Sequence, residues 1–356
     1  MGERTLRLAV SADGQPAERI AEAAALLRAG RLVAFPTETV YGLGADATNA
    51  EAVAGIFAAK GRPFSDPLIV HIAELAQAPT VARAFPPVAW ELARRFWPGP
   101  LTLVLPRAEA IPPIVAAGGE TVAVRMPAHP VALALLRAAG VPVAAPSANR
   151  FMHTSATTAE HVLADLDGRI AAVLDGGPSA VGVESSVLDL TSAPPRLLRP
   201  GGVTLEQLRA VLPEVEGPAE RPAADASVAL SPGQMERHYA PGTQLVVYDA
   251  TGDAGRAAVL AGARRALAAG RRVGALVPDE EAVALEALGV TVERLGPAGV
   301  PAEHTRRLYA ALRALDACGC DLLLSHTFAR EGLGLALWDR LRRAAGGGLT
   351  PPEPGD

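Results

Sequence analysis

One segment near the start of the chain constrains the fold more than any other. The apolar run 31–35 predicts a β-strand, and the stretch 35–44, FPTETVYGLG, has the Pro, Thr and Gly content of a turn. A helical pattern follows over 50–59. A strand that leads through hydroxyls and glycines into a helix commonly presents backbone N–H groups and side-chain oxygens to a small anion. We therefore take this segment as the centre of a candidate anion site.

Lys60, at the end of that helical pattern, is the only lysine among 33 Lys and Arg residues. In a chain that otherwise uses arginine, one retained lysine indicates a place where a guanidinium does not fit, and a compact ammonium beside a phosphate is such a place. The alternative is chance retention at a helix end, where a cation interacts favourably with the dipole. Arg62 and His71 follow closely, and together the three favour a phosphate or carboxylate site.

Composition limits the possible functions. A chain of 356 residues with 49% apolar residues is long enough for two globular domains, and its net charge of −5 gives no overall basic field for tight nucleic-acid binding. The N-terminus lacks the apolar core of a signal peptide, and no window is apolar enough to cross a bilayer, so we expect a cytoplasmic protein. Cys318 and Cys320 are expected to be small buried side chains, and the seven histidines show no metal-binding spacing.

The chain divides at a change of composition. Residues 213–242 are rich in Pro, Glu, Ala, Ser and Gly, which indicates a linker between a domain over 1–212 and another over 243–356. The end of the linker, 231–242, is aromatic and basic, so we expect it to dock on another part of the protein. The last domain alternates strand-like and helical segments, which predicts a small parallel α/β domain of Rossmann-like order. It has no G-x-G-x-x-G, so dinucleotide binding is not indicated.

Polar side chains stand at the ends of predicted strands in the first domain. The segment 121–127 alternates as a strand does and delivers Arg125 at its end, where we expect the side chain to point into a cleft. The segment 141–149 predicts a strand that ends in Ser147 and Asn149, and 183–190 predicts a further strand. Taken alone, Ser-x-Asn is more often a turn than a ligand site.

Nine stretches together resemble the YrdC/Sua5 family, whose best-known members are threonylcarbamoyl-AMP synthases. Each motif is weak by itself, but their order along nearly the whole chain makes the resemblance specific. They are residues 35–44, 60–63, 67–71, 96–101, 125–127, 146–149, 182–187, 198–201 and 238–241.

The resemblance implies a fold and an activity. It implies a twisted mixed sheet with flanking helices around a central cavity, a linker across the cavity mouth and a smaller Rossmann-like C-terminal α/β domain. The implied reaction joins L-threonine, bicarbonate and ATP into L-threonylcarbamoyl-adenylate and diphosphate, for the t6A modification at position 37 of tRNA. A downstream threonylcarbamoyl transferase complex would then approach the tRNA. Mg²⁺ would bind through the phosphates of ATP, without a metal site built by the protein.

The resemblance also assigns residues. Those similar to the family's threonine pocket are Thr39, His71, Arg125, the Ala145 backbone and Ser185. Lys60 and Arg62 are expected to be catalytic, because they would stabilise charge that develops between the α- and β-phosphates. Those similar to the nucleotide site are Lys60, Arg62, Asp66, Thr121, Ser147, Asn149, Ser155, Arg199 and, from the linker, Tyr239.

The sequence departs from the family pattern in one loop. The family follows Ser-x-Asn with Ser-Gly and then Ser-Pro-Thr-Thr, whereas this chain has the bulkier 150–154 before Ser155. Two other functions stay open as alternatives. One is a non-catalytic double-stranded RNA or tRNA-binding module of the YrdC fold, which low aromatic content and negative charge disfavour. The other is a carbamoyl-transferring maturation enzyme, whose zinc-finger and acylphosphatase-like segments are absent here.

Overall fold

The computed structural model describes residues 4–218 and 237–352, which fall into two compact units. Unit 1 comprises Met1–Phe151, Ser155–Ala180 and Glu184–Gln234, and unit 2 comprises Met152–Thr154, Val181–Val183 and Met235–Asp356. The predicted linker 213–242 lies mostly outside the described residues. The predicted boundaries at 212 and 243, and a linker across the mouth of a cavity, therefore stay predictions.

Unit 1 is built on one mixed sheet of ten strands, in the order β1-β8-β2-β3-β7-β4-β6-β5-β9-β10. The strands are β1 Leu6–Ala9, β2 Val33–Phe35, β3 Gly42–Asp46, β4 Ile69–His71, β5 Leu101–Pro106, β6 Thr121–Arg125, β7 Val143–Ala144, β8 Ala172–Asp175, β9 Ser186–Asp189 and β10 Arg196–Arg199. The helices are α1 Ala17–Arg28, α2 Ala50–Lys60, α3 Ala78–Val81, α4 Pro87–Phe96, α5 Pro130–Ala139, α6 Ala159–Leu166 and α7 Leu205–Arg209.

The two faces of this sheet differ in what they bury. One face packs into a large apolar core, to which β4, β5 and β6 contribute Val70, Leu103 and Val124. On the other face, α1 and α5 cover β1, β8 and β2 through a second apolar cluster. The remaining half of that face carries a small cluster of strand residues only: Ile69, Val104, Ala123 and Val187, with Leu198 packed against them. Functional side chains can project there without displacing a helix.

Local sequence explains how α2 delivers Lys60. Asn49 caps the helix by accepting hydrogen bonds from the N–H groups of Glu51 and Ala52 at 3.0 and 3.1 Å. Gly61 ends it in the left-handed conformation, with φ +67°. Lys60 is therefore the last helical residue, and the chain turns sharply before Arg62.

Unit 2 contains a four-stranded parallel sheet in the order β11-β14-β12-β13. Its strands are β11 Leu245–Tyr248, β12 Val273–Val277, β13 Thr291–Arg294 and β14 Leu322–His326, and its helices are α8 Gly252–Ala268, α9 Asp279–Glu286, α10 Pro301–Ala317 and α11 Leu333–Ala344. The predicted fold class, a large mixed sheet followed by a smaller parallel α/β domain, is confirmed.

Three local predictions are wrong. The strand expected over 141–149 is confined to Val143–Ala144, and the one over 183–190 to Ser186–Asp189. The rest of each stretch lies outside these strands and supplies polar groups to the candidate site. Cys320 is buried as expected, but Cys318 is exposed, because it caps the exposed end of α10 rather than entering β14.

Gly201 is expected to be essential for the stability of unit 1. A Cβ atom there would collide with the Glu184 carbonyl oxygen and lie 2.5 Å from Ser186 N. Gly201→Ala should lower the free energy of unfolding by about 3 kcal/mol, because rigid backbone must move. Gly55→Ala, in the middle of α2, is the matched control. Its added Cβ would lie 3.6 Å from the Leu32 side chain, and the substitution should stabilise the protein by up to about 1 kcal/mol. Urea unfolding would measure both, and equal midpoints would contradict the prediction.

Candidate functional site

The candidate site begins where β4 and β6 end side by side. The two strands are parallel and pair His71 with Arg125, while β5 pairs Thr102 with Arg125 on the other side. Directly paired residues project from the same face of a sheet. His71, Arg125 and Thr102 are all buried. They stand on the half of the face that carries the small apolar cluster.

Arg125 is held by contacts from two distant parts of the chain. Its Nε donates to the Gly99 carbonyl at 3.2 Å, and Nη1 donates to Thr39 Oγ1 at 2.9 Å. Nη2 donates to Glu38 Oε1 at 2.6 Å, which makes a buried ion pair. Thr37 Oγ1 lies 2.8 Å from Thr39 Oγ1. The turn 35–44 therefore orients a guanidinium that the sequence places more than eighty residues later.

His71 is a neutral imidazole in this environment. Its burial, with a smaller contribution from the Arg125 charge, lowers its pKa from 6.5 to about 3. Nδ1 lies 3.2 Å from the Ile69 carbonyl oxygen, so this nitrogen carries the proton. The ring contacts Phe35 edge to face, with centroids 6.2 Å apart. With the proton on Nδ1, His71 Nε2 is a hydrogen-bond acceptor, and the ring adds no charge.

Ser185 joins this end of the site to Arg199. Its Oγ lies 2.7 Å from Thr102 Oγ1 and accepts a hydrogen bond from Arg199 Nη2 at 3.2 Å. The Ser185 carbonyl accepts from Arg199 Nε at 3.1 Å and from Nη2 at 3.0 Å. The guanidinium at the end of β10 is thus anchored to the segment before β9.

Lys60 holds a second group of predicted residues. Its Nζ donates to the Ser147 carbonyl at 2.6 Å and also to the Asn149 carbonyl. The segment 145–149 is itself fixed to the first motif, because Leu43 N donates to the Pro146 carbonyl at 2.8 Å. Burial and the nearby Arg62 charge lower the pKa of Lys60 well below its ordinary value. A phosphate at this position would restore the charged form.

Arg62 and Asp66 form a buried pair next to Lys60. Arg62 Nη2 lies 2.9 Å from Asp66 Oδ1, and its Nε and Nη2 also donate to the Asp66 and Pro67 carbonyls at 3.0 and 2.7 Å. Burial raises the pKa of Asp66, although the charges of Arg62, Lys60 and Arg199 oppose that rise. Asp66 Oδ2 is buried without a hydrogen-bond partner among the described residues. Three basic side chains, Arg62, Lys60 and Arg199, therefore lie near a single carboxylate.

The other predicted residues of unit 1 take different positions. Ala145 donates its N–H to the Ile69 carbonyl at 2.8 Å, beside His71. Ser155 is buried and donates to Glu184 Oε1 at 2.6 Å. Thr121 starts β6 on the same face as Arg125, about 13 Å away along the strand. The face could therefore hold an extended ligand rather than a small one.

Tyr239 belongs to unit 2. It is buried, with φ +62°, a conformation that is rare for a bulky residue and is found at functional sites. Met152, in the loop that departs from the family pattern, also has a positive φ, of 67°. Its carbonyl accepts from Ala240 N at 2.9 Å, and the Tyr239 carbonyl accepts from Thr154 Oγ1 at 3.4 Å. The end of the predicted docking segment thus packs on this loop within unit 2.

Sequence reasoning missed Glu38, Thr102 and Glu184, which contact the predicted residues directly. Glu38, Thr102 and Glu184 lie 87, 83 and 29 positions from their respective partners, so no local sequence pattern shows the pairings. Within 4–218 and 237–352, no three His, Cys, Asp or Glu residues are grouped so that they could hold a metal ion. In the same residues, no helix is both long and apolar enough to span a membrane.

Comparison with known proteins places the chain in a family. The Sua5/YciO/YrdC family, described as "Telomere recombination", matches residues 25–201. The family described as "Threonylcarbamoyl-AMP synthase, C-terminal domain" matches 203–346. A threonylcarbamoyl-AMP synthase of Pyrococcus abyssi is 44% identical and aligns over 92% of this chain and 96% of its own length. The chain belongs to the threonylcarbamoyl-AMP synthase family.

Other members of the family support this assignment with similar sequence identity. The threonylcarbamoyl-AMP synthase of Bacillus subtilis is 46% identical over 92% of this chain and 93% of its own length. Among solved structures, P. abyssi Sua5 complexed with L-threonine matches with a TM-score of 0.90 and 42% identity, over 98% of this chain and 99% of that one. Escherichia coli YciO, at 23% identity and a TM-score of 0.50 over 55% of this chain and 96% of its own, shows a shared fold only.

The buried imidazole predicts a specific pH dependence of stability. His71 is neutral when folded but binds a proton near pH 6.5 when unfolded, so stability is lost as pH falls from 6.5 toward 3. Between about pH 7.5 and pH 5 this group should remove about 2 kcal/mol from the free energy of unfolding. Urea unfolding at both pH values should show this loss of about 2 kcal/mol in the wild type. In His71→Asn the loss of unfolding free energy should be smaller than in the wild type by about 2 kcal/mol. Equal losses in the two proteins would contradict a neutral buried His71.

Proposed function

We propose that this protein joins L-threonine, bicarbonate and ATP to form L-threonylcarbamoyl-adenylate and diphosphate. The observation that carries the proposal is a set of buried cations in unit 1, Lys60, Arg62, Arg125 and Arg199, set among hydroxyls and a neutral histidine. A zwitterionic amino acid and a triphosphate require such an arrangement. Family membership supports the same product, and the L-threonine complex of P. abyssi Sua5 supports threonine as one substrate.

The reaction proceeds in two chemical steps. The ammonium group of threonine first combines with bicarbonate, which gives an N-carboxylate, water and a proton. A carboxylate oxygen of this carbamate then attacks the α-phosphorus of ATP, the bond to the β-phosphate oxygen breaks, and diphosphate leaves. In such a transfer the protein acts mainly by positioning the reactants and by stabilising the charge that develops.

We assign the two ends of the site to the two substrates. Threonine would lie at the ends of β4 and β6, against Thr39, His71, Arg125, the Ala145 backbone and Ser185. The guanidinium of Arg125 suits the substrate carboxylate, and it approaches the ligand already fixed by Gly99 and Thr39.

ATP would lie toward the second group of cations. Lys60 and Arg62 are proposed to stabilise the charge between the α- and β-phosphates, and Arg199 approaches from β10. The remaining proposed nucleotide contacts are Asp66, Thr121, Ser147, Asn149, Ser155 and, from unit 2, Tyr239.

Mg²⁺ is proposed to accompany ATP. A single carboxylate together with phosphate oxygens and waters is a usual environment for this ion, and the buried Oδ2 of Asp66, without a partner among the described residues, fits it. When bound, the ion would neutralise phosphate charge. Asp66 is the protein residue that would hold it.

A non-catalytic RNA-binding module is disfavoured by where the charges lie. Duplex RNA is held by exposed basic side chains that reach its phosphates and 2′-hydroxyls, whereas Lys60 and Arg125 are only 3% and 4% exposed. We therefore propose that tRNA is met indirectly, through a downstream threonylcarbamoyl transferase. All three reactants and tRNA are available in the cytoplasm, where we place the protein.

Mass spectrometry of the reaction mixture tests the proposal directly. Purified protein with L-threonine, bicarbonate and Mg-ATP should yield threonylcarbamoyl-adenylate, and diphosphate in equal amount. Omission of threonine or of bicarbonate should abolish both products, because the nucleophile then does not form. Diphosphate release that is independent of threonine would contradict the proposed reaction.

Lys60→Met should lower the rate of adenylate formation by about 100-fold or more, because it keeps the aliphatic packing but removes a charge near the transferring phosphate. Arg137→Met is the control, since it removes an exposed cation of α5 and should leave the rate unchanged. Thermal unfolding of both variants would verify that they are folded. A Lys60→Met rate within a few-fold of the wild type would rule out the catalytic role.

A further inference from the structure

Glu38 carries a buried oxygen that nothing in the described structure satisfies. Its Oε1 accepts from Arg125 Nη2 at 2.6 Å, but its Oε2 is buried and has no hydrogen-bond partner among the described residues. Buried charged acceptors in folded proteins are nearly always paired. An orphan of this kind, beside a guanidinium assigned to a substrate, indicates a partner that arrives with the ligand.

We propose that Glu38 Oε2 binds the ammonium group of L-threonine, an inference that rests on the function proposed above. Glu38 would then be a substrate-binding residue that recognises the amino group, in addition to holding Arg125.

Hydrogen-bond accounting at Arg125 supports this geometry. A guanidinium has five N–H groups, and Gly99, Thr39 and Glu38 engage one each on Nε, Nη1 and Nη2. Among the described residues this leaves one N–H on each terminal nitrogen, so Arg125 can still donate to a carboxylate.

The opposite charges of Glu38 and Arg125 complement those of a zwitterionic amino acid. In threonine the ammonium stands on the carbon next to the carboxylate, so a carboxylate bound to Arg125 brings the ammonium close to the side chain that is already paired with Arg125. The guanidinium alone would repel that ammonium. Glu38 removes the repulsion and offers an acceptor. Of the three proposed reactants, only threonine brings a cation that could fill this position.

The neighbouring histidines do not supply a cation for Glu38 Oε2. His71 is neutral, and its Nδ1 faces the Ile69 carbonyl. His129 accepts a hydrogen bond at Nδ1 from Val131 N at 3.2 Å, and burial lowers its pKa. Neither histidine therefore supplies a charged partner for Glu38 Oε2.

A binding cycle with two ligands and two proteins tests the inference without ATP. (R)-3-hydroxybutyrate keeps the carboxylate and hydroxyl of L-threonine but lacks the ammonium. In Glu38→Gln, the amide oxygen can still accept from Arg125, while an NH₂ donor replaces the orphan oxygen. Calorimetric titration should show that the wild type prefers L-threonine over (R)-3-hydroxybutyrate by about 10- to 100-fold, as expected for a charge-assisted hydrogen bond. Glu38→Gln should lose that preference.

A merely structural role for Glu38 gives a different result. If Glu38 only orients Arg125, the substitution weakens both ligands equally, because both have the carboxylate, and the inference is then wrong. A wild type without preference for threonine overturns it as well, even if Glu38→Gln does not fold. Glu38→Asp, which keeps the charge, should retain part of the preference. Glu22→Gln removes a half-exposed carboxylate that pairs with Arg19 and should bind both ligands as the wild type does.

The outcomes separate this inference from the proposed function. Wild-type protein that makes threonylcarbamoyl-adenylate, with a cycle that shows no coupling, refutes the role of Glu38 alone. Coupling in the cycle without any adenylate formation refutes the proposed reaction and leaves the ammonium site in place.

Discussion

The burial of positive charge is the constraint on which the rest of unit 1 depends. Lys60, Arg62, Arg125 and Arg199 lie within the protein at 6% exposure or less, and an unpaired buried charge is costly. The chain meets this cost with carbonyl oxygens and two carboxylates rather than with a matching set of anions. Gly99, Ser147 and Ser185 each turn a carbonyl toward a cation. What remains is a region whose charge is balanced only when an anionic ligand binds.

The backbone carbonyls that contact these cations lie next to the ends of two strands. Ser147 follows the end of β7 at Ala144, and Ser185 precedes the start of β9 at Ser186. Both residues belong to the stretches 141–149 and 183–190 but lie outside the strands that form there. Gly201 allows the close approach of backbone that places Arg199 against Ser185. Local departures from the predicted pattern therefore coincide with the candidate site.

The two carboxylates of this region play different parts. Asp66 and Glu38 each use one oxygen for an arginine and leave the other buried without a partner among the described residues. One lies with the cations assigned to the nucleotide, and the other with the guanidinium assigned to threonine. Ligand binding would satisfy both oxygens, so the site is pre-organised for its substrates at some cost to the stability of the free protein.

The sequence by itself determined the classes of structure and the inventory of functional groups. Alternation of strands and helices predicted the parallel C-terminal sheet, and the order of short motifs identified the family and with it the mixed sheet of the first domain. Apolar periodicity and turn residues are local properties that can be recognised in a linear sequence. The single lysine is buried, and its Nζ donates to the Ser147 carbonyl. Only the tertiary structure decided which groups meet. Glu38 and Arg125 are 87 positions apart, and Thr102 and Ser185 are 83 apart, so their contacts follow from strand order and register, which no local pattern encodes.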